Sequence, residues 1–155
     1  MKDKLKIQKV IDELYSGISG PAGFKRDWKR QESLFTSDAK MIRTFVDSNG
    51  MPQSTILTVQ EYPENFENLI AGRPFYEIEI HNIIERFGNI AHAFSIYEAW
   101  SDKERTQFIK RGVNSIQLLN DGESWKVVHM IWDDERSGLT MDSKYNPAAL
   151  PESSL

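Results

Sequence analysis

Two carboxylates and a histidine in the middle of the chain have the types and spacing needed to move a proton. Glu79 and His81 are separated by one residue, and Glu98 lies in the next apolar run. Alternate side chains of a β-strand share a face. Histidine exchanges a proton near neutral pH, and a neighbouring carboxylate can orient its ring. The sequence therefore favours acid–base chemistry at His81, with Glu79 or Glu98 as the orienting group.

Strands must position these groups, and residues 75–134 predict a four-strand antiparallel meander. Gly88-Asn89 lies between two runs rich in β-branched and aromatic residues, which is typical of a tight hairpin. Counting outward from this turn predicts four facing pairs: Glu85 with His92, Ile83 with Phe94, His81 with Ile96, and Glu79 with Glu98. Two facing carboxylates repel, so one of them would have a raised pKa suited to proton transfer. The alternative is that both are paired with Lys or Arg at the sheet rim.

A second hairpin is predicted around the turn at residues 120–123. Its expected pairs are Leu118 with Trp125, Ile116 with Val127, Asn114 with His129, and Gly112 with Ile131. We join the two hairpins through residues 101–106 without a bulge, which places Phe94 beside Asn114. All three histidines, His81, His92 and His129, then point to one face.

We expect helices to cover that face and a ligand cavity to lie between them and the sheet. The expected ligand-binding groups on the sheet are His129, Asn114, Phe94 and Ile96. Asn114 and His129 would polarise a carbonyl, or would only hydrogen-bond to each other in the core. The alternative for His81 is a structural hydrogen bond to a backbone carbonyl or a tyrosine. His92 is expected at the rim of the sheet.

The other sheet face is also apolar, which predicts a cover there as well. The expected cover is a second copy of the chain, giving a homodimer through Tyr97, Val113, Met130 and Trp132.

The bulk properties exclude several classes. The net charge of −4 and the absence of a basic stripe argue against nucleic-acid binding. Without cysteine there is no disulfide or thiolate chemistry. We find no glycine-rich phosphate loop and no closely spaced histidine pair, so no cofactor or metal is expected. No apolar run is long enough to span a membrane, and charges interrupt the first apolar residues, so the expected location is the cytoplasm.

The remaining elements are mostly helical. Apolar residues at helical spacing predict a helix over residues 5–18, a second over 24–35 and a third over about 59–71. Ser48-Asn49-Gly50 predicts a hairpin between the second and third helices. The first 136 residues are expected to form one domain, and residues 137–155 a loosely docked or extended tail.

Three sequence strings carry a resemblance to a known family: RDW in the second helix, LFTSDAKM after it, and DGESWKVVHMIWD at the end of the meander. They resemble the nuclear transport factor 2-like superfamily, in its SnoaL-like branch, over roughly Leu5 to Glu135. The resemblance implies an α+β fold: a cone-shaped curved antiparallel sheet with three helices packed on its concave face, commonly in a homodimer.

The same resemblance implies a cavity between the sheet and the helices, but it does not carry a reaction with it. Tyr15 and Trp28 lie where helices would line such a cavity. Asp27 looks like the aspartate that many relatives carry before this tryptophan, and it is either a base in the cavity or a helix-cap or salt-bridge residue. We expect a small-molecule-binding domain, either a cofactor-free dehydratase, isomerase or cyclase acting on a hydroxyl- or carbonyl-bearing substrate, or a non-catalytic binding or assembly module.

Overall fold

The computed structural model describes residues 1–145 of the chain. The elements follow the predicted order of helix, helix, hairpin, helix and meander. Their bounds are α1 Lys2–Ile18, α2 Trp28–Glu32, β1 Phe35–Val46, β2 Pro52–Thr58, α3 Tyr62–Ile70, β3 Tyr76–Phe87, β4 Ile90–Trp100, β5 Phe108–Asn120, β6 Trp125–Asp134 and a short 3-10 helix Ser143–Tyr145.

The six strands form one open sheet in the order β2-β1-β6-β5-β4-β3. Neighbouring strands are antiparallel except for β1 and β6, which run parallel because the chain crosses from the first hairpin to the far edge of the sheet before returning. The helices pack on one face of this mixed sheet. The predicted α+β fold with three helices on the concave face is confirmed.

Helix α1 owes its position to an apolar stripe. Ile7, Ile11, Leu14 and Ile18 recur every three or four residues and are all buried, which is the spacing of one helix face. Ile7, Ile11 and Leu14 pack against apolar side chains of the central strands in the main core, and Ile18 packs in a second cluster with Phe66 and Phe75.

Helix α2 is shorter than the sequence predicted. The Asp27 carboxylate accepts a hydrogen bond of 3.0 Å from the backbone N–H of Arg30, so the helix begins at Trp28. It ends at Glu32 because Leu34 and Phe35 are buried in the core as the chain enters β1.

Three unpaired residues in the meander decide which side chains face the helices. Ile80 of β3, Ile109 of β5 and Val128 of β6 each fall where the register shifts by one residue. A bulge of this kind turns the following side chains to the opposite face. The predictions assumed no bulge at any of these places.

The first hairpin keeps its predicted register only near its turn. The pairs Glu85 with His92, Ile83 with Phe94, and His81 with Ile96 are confirmed. Gly88 adopts a φ of 55°, as this tight turn requires. The pairing of Glu79 with Glu98 was wrong, because the bulge at Ile80 places Glu79 opposite Tyr97.

The second hairpin differs from the prediction throughout. Asn120 pairs with Trp125, so the turn is formed by residues 121–124, and the bulge at Val128 shifts the strands again. The observed partners of the residues that were predicted to pair are Leu118 with Val127, Ile116 with Met130, Asn114 with Trp132, Gln117 with His129, and Gly112 with Asp134. The predicted contact of Asn114 with His129 is therefore wrong.

The connection between the hairpins also changes face. Trp100 pairs with Phe108 as the predicted register requires, but Lys110 pairs with Ala99 because Ile109 is extra. Phe94 consequently faces Ser115, and Asn114 faces Ser95. Asn114 and Phe94 lie on opposite faces of the sheet.

Part of the tail lies against the face of the sheet away from the helices, which we call the outer face. The ring of Tyr145 packs 5.1 Å from the ring of Phe94, which is on that face. Residues 146–155, the rest of the predicted tail, lie outside the described residues. Among residues 1–145, no helix is long and apolar enough to cross a membrane.

Candidate functional site

A cavity of about 580 Å³ lies between the helices and the concave face of the sheet. Helix α1 contributes Tyr15, and α3 contributes Tyr62 and Phe66. The sheet contributes mostly apolar and aromatic side chains, with a few polar groups among them. This is the composition expected of a small-molecule site.

Glu77 is a carboxylate of β3 that faces this cavity. It lies on β3 opposite Ala99, and its side chain lines the cavity wall. Burial raises its pKa from 4.5 to about 7; nearby Lys110 and a hydrogen bond from Asn114 act in the opposite direction, and Asp134 adds to the rise. A carboxyl group with this pKa can both take and give a proton near neutral pH.

Tyr15 and Asn114 join Glu77 at the polar end of the cavity. The Asn114 amide donates a hydrogen bond of 3.0 Å to the Tyr15 hydroxyl, and the oxygens of Tyr15 and Ser95 are 2.6 Å apart. The side chains of Tyr15, Ser95 and Asn114 are all buried. Burial and the charge of Glu77 raise the pKa of Tyr15, so the phenol is held neutral.

Glu79 accepts from Ser95 and lies beside this group, outside the cavity lining. Its carboxylate accepts hydrogen bonds from Ser95, from Gln8 of α1 at 2.9 Å and from Asn82 at 2.7 Å. It therefore connects α1 to β3 and β4. Glu79 does not line the cavity, so its observed contacts are structural.

Tyr97 forms a second polar cluster beside Glu77. Its hydroxyl donates to the Asp134 carboxylate, and the Lys110 ammonium lies 3.1 Å from the other oxygen of Asp134. Gly112 makes this contact possible, because a Cβ at that position would lie 2.5 Å from the Tyr97 hydroxyl. Burial, and after it the charges of Glu77 and Asp134, raise the pKa of Tyr97.

Aromatic rings form the rest of the wall. The ring centroids of Trp28 and Phe66 are 5.5 Å apart, those of Tyr62 and Trp132 are 6.2 Å apart, and both pairs meet edge to face. Such contacts hold neighbouring rings at steep angles to one another. The cavity is thus apolar and rigid at one end and polar at the end that contains Glu77.

The histidines are not part of this cavity. They do share a face, as predicted, but it is the outer face. His81 pairs with Ile96, and the adjacent Ser95 is bonded to Tyr15 of α1, so His81 and Ile96 point away from the helices. His92 and His129 lie on either side of Gln117 on the same outer face. The shifts at Ile109 and Val128 are the physical reason for this correction. The first exchanges the faces of β3 and β4 relative to β5, and the second turns His129 to the outer face.

Other predicted site residues also lie elsewhere. Glu98 is on the outer face, where Arg111 donates to it at 2.7 Å. Phe94 is on the same face. Asp27 is exposed and caps α2, which is the structural alternative given for it. Of the predicted site residues, the structure brings only Tyr15, Trp28 and Asn114 to the cavity.

The four residues predicted to form a dimer surface do not share a face. Tyr97, Met130 and Trp132 line the cavity, while Val113 lies on the outer face. The predicted interface is therefore wrong in its composition, because the shifts at Ile109 and Val128 exchange the faces of the strands. A homodimer through the outer face stays a prediction.

Sequence reasoning missed Glu77, Tyr97, Tyr62, Lys110 and Asp134. Glu79 was placed correctly on the side of the helices. Glu77, two residues before it on β3, shares that face, so the same alternation could have identified it. Within residues 1–145, no group of three or more His, Asp or Glu side chains is arranged to hold a metal ion.

Comparisons with known proteins identify the fold. No protein-family model matches the sequence, and no curated protein matches it either. Solved structures do. One is a protein of unknown function with a cystatin-like fold from Nostoc punctiforme, with a TM-score of 0.68 at 15% identity over 87% of this chain and 92% of that one.

Two NTF2-like proteins of unknown function agree with this result. The one from Pseudomonas putida has a TM-score of 0.64 at 12% identity, and the match covers 92% of this chain and 91% of that one. The one from Shewanella baltica has a TM-score of 0.60 at 18% identity, with coverage of 87% and 95%. The predicted resemblance is thus confirmed at the level of structure: the chain has the fold of the NTF2-like proteins.

Proposed function

We propose that this protein binds a small, largely apolar molecule in its cavity and moves a proton on that molecule, with Glu77 as the general base. The observation that carries the proposal is the position of Glu77, a carboxylate facing an apolar cavity with its pKa raised to about 7. A base is most effective when its pKa lies near the working pH.

The surroundings of Glu77 support the same role. Asn114 holds the carboxylate from one side, and Lys110 lies near enough to favour its ionised form. Around them, the aromatic wall keeps the carboxylate poorly hydrated, which makes an ionised carboxylate a stronger base. The proposed reaction class is a cofactor-free proton transfer such as isomerisation, dehydration or cyclisation. The SnoaL-like branch and the cytoplasmic location remain part of this proposal.

A generic proton-transfer probe tests the proposal without knowledge of the natural substrate. In 5-nitrobenzisoxazole a base removes the proton on C3 while the N–O bond breaks, and the product is a coloured cyanophenolate. We expect the protein to open this ring at least about 10²-fold faster than acetate does, with a rate that rises with pH and levels off above about pH 7.

Variants identify the base. Glu77→Gln should remove the accelerated reaction, while Glu98→Gln and His81→Ala, on the outer face, should leave it unchanged. Thermal melting of each variant confirms that it is folded. A folded Glu77→Gln variant that retains the rate would reject Glu77 as the base. The absence of any acceleration by the wild-type protein would reject proton transfer in this cavity.

A further inference from the structure

The direction of each hydrogen bond at the polar end of the cavity can be worked out from the carboxylates. Glu79 only accepts, and Ser95 is one of its three donors. The single hydroxyl proton of Ser95 is therefore used. Because Ser95 and Tyr15 are 2.6 Å apart, the proton between them must come from Tyr15.

The same reasoning extends to Asn114. Tyr15 has given its proton to Ser95, so it accepts the bond of 3.0 Å from the Asn114 amide. The Tyr15 hydroxyl therefore keeps no proton for a ligand.

Three other donors that line the cavity are engaged elsewhere. Tyr97 donates to Asp134. The Trp28 indole N–H donates to Glu67 at 3.1 Å, and the Gln31 amide donates to the backbone carbonyl of Glu13 at 2.9 Å. The Tyr62 hydroxyl has no partner within residues 1–145, and a hydroxyl can accept as readily as donate.

The charges at this end of the cavity add up to a negative site when Glu77 is ionised. Two carboxylates, Glu77 and Asp134, meet one ammonium, Lys110, and Lys110 lies 3.1 Å from Asp134. Arg73 is bonded to the carbonyls at the end of α3, and Arg43 lies over the ring of Phe45. These two arginines thus have partners outside the Glu77 cluster.

The aromatic wall favours a cation as well. The rings of Trp28, Tyr62, Phe66, Phe75 and Trp132 all line the cavity. The face of an aromatic ring carries partial negative charge, and it attracts an ammonium group within about 6 Å, most strongly when water is excluded.

We propose that the natural ligand presents a hydrogen-bond donor to Glu77, and that it is an alkylammonium compound with an apolar body held by the aromatic rings. This inference deepens the proposed function and rests on its assignment of the cavity as the binding site. It replaces the carbonyl-bearing ligand class expected from the sequence, because an ionised Glu77 only accepts and Tyr15 keeps no proton to give to a carbonyl.

Three compounds with equal numbers of heavy atoms test the ligand class: 2-phenylethylamine, 2-phenylethanol and benzyl methyl ether. The first is a cationic donor, the second a neutral donor, and the third only accepts. Calorimetric titration at about pH 8 should rank the amine first and the ether last, separated by about tenfold or more. The ether binding as tightly as the amine would overturn the inference, as would failure of the amine to bind.

The pH dependence of amine binding and a Glu77 variant test the same inference further. Protonation of Glu77 removes the negative charge, so affinity for the amine should fall as the pH decreases below about 7, by up to about tenfold per pH unit. The groups that face Glu77 are Lys110, Asp134 and the three tyrosines Tyr15, Tyr62 and Tyr97. The phenol pKa values are raised, so Glu77 is the group that titrates in this range.

Glu77→Gln should bind the amine and the ether with similar affinity, whereas Glu98→Gln should behave as the wild type. A Glu77→Gln variant that is folded and still prefers the amine would contradict the inference. The two proposals fail separately. Ring opening of the benzisoxazole without preference for the amine would reject the ligand class alone, and preference for the amine without ring opening would reject proton transfer alone.

Discussion

Glu77 and Glu98 lie on neighbouring strands, near the same end of the sheet, yet on opposite faces. Glu77 faces a cavity, and burial raises its pKa to about 7. Glu98 faces outward and is held by Arg111 at 2.7 Å. The same residue type is thus a poised acid or base on one face and half of an ion pair on the other. The environment set by the face of the sheet decides between these roles.

The concave and outer faces of the sheet differ in how their polar side chains interact. On the concave face the polar groups depend on one another, in a connected set that runs from Asn114 through Tyr15 and Ser95 to Glu79. On the outer face the interactions are small and local, such as Arg111 with Glu98 and Glu135, and His92 with Glu85. A connected buried set is costly to break, while a separate exposed pair contributes little.

Two serines on adjacent strands compare the faces directly, and they give the largest expected effect. Ser95→Ala leaves the Tyr15 hydroxyl without its acceptor and removes one donor from Glu79, so the free energy of unfolding should fall by about 3 kcal/mol. Ser115→Ala, on the outer face, should change it by less than about 0.5 kcal/mol. Urea unfolding of both variants measures the difference. Equal losses would show that the concave set is not coupled.

Glu77 and Glu98 should respond to mutation with opposite signs. Folding raises the pKa of Glu77 from 4.5 to about 7. The contribution of Glu77 to the stability of the folded protein is therefore fully present below about pH 4.5 and is lost as the pH rises through about 7. Glutamine mimics the neutral form, so at about pH 8 Glu77→Gln should be more stable than the wild type by on the order of 2 kcal/mol.

The matched change on the outer face should be destabilising. Glu98→Gln removes the charge that Arg111 contacts, which should lower the free energy of unfolding by about 1 kcal/mol at the same pH. Near pH 5, Glu77→Gln and the wild type should differ little, because the wild-type carboxyl is then protonated. If both variants lose stability at about pH 8, Glu77 is stabilised as a carboxylate and the comparison between the faces fails.

The secondary structure could be predicted from the sequence because it depends on local patterns. The apolar stripe of α1 has helical spacing, Gly88-Asn89 specifies a tight turn, and the pairs next to that turn are correct. Element order and fold class followed from these patterns. Helix α2 was predicted too long because it was started at residue 24, whereas Asp27 caps the helix and residues 24–27 precede it.

The faces could not be predicted because they depend on three unpaired residues. Ile80, Ile109 and Val128 are β-branched residues within runs of similar residues, and no glycine or proline marks them. Strand pairing tolerates one extra residue at low cost, but every following side chain then changes face.

The candidate site was predicted in part for the same reason. Asn114 was correctly placed on the cavity side because the face assigned to β5 was right. His81 and Phe94 were placed on the cavity side wrongly, because the register between β4 and β5 shifts by one residue at Ile109. Tyr15 and Trp28 were found because helical positions do not depend on strand register. Glu77 was missed although it shares a strand face with Glu79, which was placed correctly on the side of the helices.

The central claim is that the Glu77 carboxyl titrates near neutral pH inside the cavity. The most direct measurement is the carbon-13 chemical shift of the glutamate side-chain carboxyl groups as a function of pH, with Glu77→Gln used to assign the signal. We predict a midpoint of about 7 for Glu77. A midpoint near the ordinary carboxyl value of 4.5 would contradict the account.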